Sequence, residues 1–103
     1  MKTLLTIADR LSLQNIMPGQ DSFENLCIRE EIMSKIKFSS EEIETNRIKT
    51  IEGGVTFVET ESKEYEFNAI SVVYVQAQLK RLSEAKELQA IAVPLYRKFN
   101  EIK

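Results

Sequence analysis

Histidine is absent from this 103-residue chain, and cysteine occurs once, at Cys27. Without imidazole, and with a single thiol, zinc sites built on Cys and His, Cys–His dyads and Ser-His-Asp triads are excluded by inventory. One thiol cannot close an intrachain disulfide, which fits a reducing compartment. Cys27 reads as a packed thiol on an apolar helix face. No run of about 18 apolar residues occurs, and no basic segment leads into an apolar block. Neither a membrane span nor a signal peptide is expected, and the expected location is cytoplasmic.

Two prolines and three glycines leave few interruptions. Apolar residues at 43 % and charged residues at 29 % are ordinary globular values, which argue against global disorder and fibrous repeats. A chain of this size hides roughly 60 to 70 % of its unfolded surface, enough for one core, so residues 1–103 are expected to form one domain.

The densest apolar stretch is ISVVYVQAQLKRL, residues 70–82. Val72, Val75, Leu79 and Leu82 recur at helical spacing, and Ile70, Val73, Tyr74 and Ala77 form a second stripe beside them. The spacing predicts a central helix covered from two sides, opened by Asn68 as N-cap. Residues 3–16 read as a short helix with Leu4, Ile7, Leu11 and Ile16 inward and Asp9, Arg10 and Gln14 outward, stopped at Pro18 and Gly19. A second helix is expected over 22–37, with Phe23, Leu26, Cys27, Met33 and Ile36 at helical spacing. Ser39 and Glu42 have capping-box spacing, so a two-turn helix should start near 40 and be closed by a left-handed Asn46.

From Arg47 the apolar period becomes two on either side of Gly53 and Gly54, which marks a hairpin. With Tyr65 and Phe67 flanking Glu66, strands are expected at about 47–51, 55–58 and 64–67. At the C-terminus, Leu88, Ile91, Leu95, Phe99 and Ile102 follow a helical spacing that Pro94 should kink or restart, pushing Val93 away from helical dihedrals. The fold class is therefore α+β: four or five helices packed with a small antiparallel hairpin or three-stranded sheet.

LTIADRLSLQNIMPGQDSFENL, IKFSSEEIETNRIKTIEGGVTF and LKRLSEAKELQAIAVPLYRKF, taken in order, resemble small uncharacterised proteins encoded by phages and prophages. The resemblance covers nearly the whole chain. It implies provenance and transfers no functional residues.

The acids offer little chemistry. Glu41, Glu42 and Glu44 diverge around a helix, and Glu59, Glu61, Glu64 and Glu66 lie along a loop and strand, so neither group converges on a cation. No metal and no cofactor is expected. Charge is nevertheless uneven: residues 39–68 hold eight acids and three bases, whereas residues 69–103 hold three acids and six bases. The plain account of this asymmetry is pairing or solvation of neighbouring elements.

The expected function is that of a small non-enzymatic protein–protein interaction module, a phage accessory or host-directed protein. Its partner would be a protein, either a second copy in a homodimer or another chain. Lys80, Arg81, Tyr96, Arg97 and Lys98 are the candidate interaction residues. The alternative is a nucleic-acid-associated regulator using the basic C-terminal helix, although a net charge of −2 lacks the usual footprint.

Overall fold

A computed structural model describes residues 1–59 and 62–100. The chain is α+β, with strand β1 (Lys2–Leu5), helix α1 (Ile7–Ile16), α2 (Phe23–Ile36), α3 (Ser40–Thr45), hairpin strands β2 (Lys49–Ile51) and β3 (Gly54–Thr56), β4 (Lys63–Glu66), α4 (Ala69–Glu84) and α5 (Val93–Asn100), the last preceded by a 3-10 turn at Ala90–Ala92. Its extents are 33 × 30 × 28 Å. Glu61, expected in the acidic loop and strand, and Ile102, expected in the C-terminal helical spacing, lie outside the described residues.

The N-terminus departs from the helix expected over residues 3–16. Residues 3–5 belong to a strand, and the helix begins only after Thr6, whose hydroxyl accepts the Asp9 amide while the Asp9 carboxylate accepts the Thr6 amide. That reciprocal cap fixes the helix start and rotates its inward face. β1 pairs antiparallel with β4, Thr3 opposite Tyr65 and Leu5 opposite Lys63, so β4 joins the chain's beginning and leaves the hairpin alone. The result is two separate two-stranded sheets. The Met1 ammonium donates to the Phe67 carbonyl at 2.8 Å and extends the pairing.

Alternation along this first sheet sends Leu5, Tyr65 and Phe67 inward and leaves Leu4 outside. Phe67 stacks with Tyr65 at 6.3 Å and meets Phe99 of α5 at 5.7 Å. Leu13, Ile16, Met17, Ile32, Ile36, Tyr74, Val75, Leu79 and Leu95 belong to the same core.

Caps set the remaining helices. Ser22 accepts from the Asn25 amide, Ser39 and Glu42 form the expected capping box, and Asn68 accepts from the Ser71 amide at 2.8 Å. Asn46 does close α3, but at φ −97°; the left-handed residue is its neighbour Arg47, at φ 51°. Gly53 supplies the positive φ of the hairpin turn, at 90°. Pro94 produces a restart: the 3-10 turn ends and α5 begins, with Val93 helical at φ −58° and ψ −47°, contrary to expectation. Pro94 falls in the opening turn of α5, where a missing amide costs no intrahelical bond.

Candidate interaction surface

α4 is the central helix; its first apolar stripe is covered, but of the second only Tyr74 is buried. Tyr74, Val75 and Leu79 are buried, with Val72 and Leu82 packed at the margin of the core. Ile70 is 66 % exposed and Val73 63 %, and Ala77 is exposed on the same side. Residues three and four apart share a helix face, so Ile70, Val73 and Ala77 form a continuous outward ridge. Among the described residues the expected covering from two sides is not met: α1, α2 and α5 contact α4, whose buried positions are Ser71, Tyr74, Val75, Gln78 and Leu79. Polar residues instead fill two of the inward positions, Ser71 and Gln78.

α2 shows the same displacement. Ile32 and Ile36 point inward, whereas Phe23 is 78 % exposed and Cys27 is an exposed free thiol. Cys27 is therefore not the packed thiol expected: Phe23 and Cys27 lie one turn apart on the side opposite the buried isoleucines.

The five basic and aromatic candidates divide. Lys80, Arg81 and Arg97 are exposed, and Tyr96 and Arg97 line a groove of about 310 Å³ with Ser83, Leu88 and Val93. Arg81 donates through Nε and Nη2 to Gln78 Oε1, at 3.2 and 3.0 Å. Lys98 departs from the solvated role. Its ammonium donates to the Leu4 carbonyl at 2.8 Å and pairs with the Asp9 carboxylate, tying α5 to β1 and α1. Nothing brings the five to one point.

Sequence reasoning placed Asp9 and Arg10 in solvent; both are 2 % exposed. The Arg10 Nε donates to the Ile36 carbonyl at 3.0 Å and Nη2 to the Lys37 carbonyl at 2.9 Å, while Nη1 reaches Glu42 Oε2 at 2.5 Å. Phe38 lies against the guanidinium with its ring centroid at 4.2 Å. The signal was present: T-I-A-D at 6–9 has capping-box spacing, which starts the helix at Ile7 and turns Asp9 and Arg10 inward.

A second cavity of about 310 Å³ adjoins this clamp, lined among others by Arg10, Glu41, Glu42, Asn46 and Lys63. The Arg10 hydrogen bond, against an opposing effect of burial, holds the Glu42 carboxyl down to about 2. A carboxylate so stabilised stays ionised near neutral pH and offers no proton to a substrate. Among the described residues no group of three or more Cys, Asp or Glu side chains is placed to hold a metal ion, and no helix is long and apolar enough to cross a membrane. Comparison of the chain with protein-family models, curated proteins and solved structures gave no match.

Proposed function

We propose that the chain is a non-enzymatic protein–protein interaction module, a phage accessory or host-directed protein, whose contact surface is the outward ridge of α4. The observation that supports it is the exposure of Ile70, Val73 and Ala77 in sequence along one helix face. Scattered apolar side chains are normal on a surface, but a contiguous apolar strip rimmed by polar groups is the common mark of a binding site. Lys80 and Arg81 stand at the end of the ridge and supply such a rim. The partner is another protein or a second copy of this chain, in which case one α4 packs on another.

The nucleic-acid reading loses support from Lys98, which is committed to Asp9 and Leu4. The two classes separate in capture from host lysate with and without nuclease. A protein partner retained after nuclease treatment is expected; loss of all captured protein on nuclease treatment would overturn the proposal in favour of a nucleic-acid tether. Light scattering at high micromolar concentration decides self-association, a dimer mass identifying the second copy as the partner and a monomer mass rejecting it.

A further inference from the structure

The hairpin of β2 and β3 stands without cover. Every residue of both strands is exposed, and the two strands pack chiefly on each other. A two-stranded ribbon alone is marginal in water, whereas three or more strands sharing a face hold together. The hairpin is tied to the body at its base, where the Val58 amide donates to the Asn46 carbonyl at 2.7 Å and the Ile48 amide to the Ile43 carbonyl at 3.0 Å.

The register fixes which way each backbone group of β3 points. Ile51 opposite Gly54 closes a two-residue turn, so that pair, and Lys49 opposite Thr56, carry the ladder hydrogen bonds. Val58 is in phase with Gly54 and Thr56, and its amide also turns to the β2 side. The alternate residues, Val55 and Phe57, therefore direct amide and carbonyl out from the edge, and these groups meet no partner among the described residues.

Exposed edges are ordinarily blunted by charge. β1 carries Lys2, β2 carries Lys49, and β4 carries Lys63, Glu64 and Glu66. Gly54, Val55 and Thr56 of β3, and Phe57 and Val58 after them, carry none. The next acid, Glu59, is drawn off to α1, where its carboxylate accepts the Ile7 amide at 2.8 Å and the Ala8 amide at 3.4 Å.

We propose that the β3 edge binds a second copy of this chain by strand addition, two hairpins joining antiparallel about Thr56 into one four-stranded sheet. The edge is complementary to itself in this register. With Thr56 opposite Thr56, Val55 of one copy lies opposite Phe57 of the other, so all the outward amides and carbonyls are bonded at once. Gly54 meets Val58 and Gly53 meets Glu59, so no charge faces a like charge. Aromatic with β-branched, and Thr with Thr, are favourable cross-strand pairs. Centred on Val55 instead, the edge would set Phe57 against Gly53, which the turn holds at φ 90°; centred on Phe57, it would set Val55 against Glu59, which α1 holds. The two-fold symmetry is that of the commonest soluble oligomer. The contact uses no residue of α4 and does not rest on the function proposed above.

The full chain is followed from low micromolar to millimolar concentration by light scattering and by amide hydrogen exchange in NMR. A dimer mass should appear as concentration rises, and exchange at Val55 and Phe57 should slow with it. Thr56→Lys and Thr56→Glu each set like charges opposite one another at the axis and should each lose the dimer mass, while the two variants mixed in equal amounts should regain it. Val73→Glu should keep it. A chain that stays monomeric, with both amides exchanging freely at every concentration, would overturn the proposal. A dimer kept in Thr56→Lys and lost in Val73→Glu would overturn it in favour of the α4 ridge, and a mixture that stays monomeric would overturn the register. Protection that follows added captured partner and not concentration would assign the edge to that protein and overturn the second copy. If a Thr56 variant fails to fold, the concentration dependence of exchange in the wild type decides alone.

Discussion

Arg10 holds three pieces of chain together: its guanidinium takes the last carbonyls of α2, the Glu42 carboxylate of α3, and its own place on α1. A buried pair of this kind contributes little net stability when intact, but losing one partner strands the other charge. The carboxyl of Glu42 titrates at about 2 in the fold, below its ordinary 4.5. Its stabilising contribution is therefore complete above about pH 4.5 and is lost as pH falls through about 2. Urea unfolding at pH 6 and pH 2.5 should show the wild type losing about 1 to 2 kcal/mol more than Glu42→Gln, a figure reduced for solvent screening at a partly open cavity. Equal losses in both would place the acid sensitivity elsewhere. In the core, Leu79 is fully buried. Leu79→Ala should cost about 2 to 5 kcal/mol in the same assay, and a change under about 0.5 kcal/mol would contradict its central position.

At the scale of elements, helical period and caps carried most of the information. Asn68, Ser22 and the Ser39–Glu42 box marked three helix starts, and the paired glycines marked the hairpin turn. Residues 3–5 were misread because Leu4 and Leu5 satisfy a helical spacing as readily as a strand, and their strand partner lies sixty residues away in β4. Such long-range pairing leaves no local trace. The two stripes of α4 were legible, but not that Ile70, Val73 and Ala77 of the second would be left uncovered while Tyr74 is buried, since that depends on where α1, α2 and α5 dock. Of the candidate interaction residues, exposure could be read from charge for Lys80, Arg81 and Arg97. The capture of Lys98 could not, because it follows from the burial of Asp9. Substituting the two neighbours on α5 separates these roles. Lys98→Met should destabilise by about 1 to 3 kcal/mol, because Asp9 is left buried without its cation, whereas Arg97→Met should stay within about 0.5 kcal/mol. Equal effects in thermal or urea unfolding would return Lys98 to the solvated face.

For the whole molecule, the sign asymmetry survives folding. Residues 39–68 are acidic and 69–103 basic, yet among the described residues no ion pair joins the two segments; the pairs formed are Lys2–Glu66, Arg10–Glu42, Arg29–Glu30 and Lys98–Asp9. Glu42, Glu66 and Lys98 are paired with residues of the first 38, and the charge that remains on each segment acts outward over about a Debye length, roughly 10 Å at 0.1 M salt. Association with the partner should therefore slow and weaken between about 50 and 500 mM salt, as screening shortens that range. A salt-independent rate and affinity would remove electrostatics from the interface and leave the apolar ridge alone to account for binding.

The ridge itself is tested most directly by Val73→Glu. Val73 is exposed, so the substitution should leave the melting temperature within the range of ordinary surface changes, and a charge placed in the middle of an apolar contact should lower affinity for the captured partner at least about tenfold. Affinity unchanged in a folded Val73→Glu chain would contradict the assignment of α4 as the binding surface.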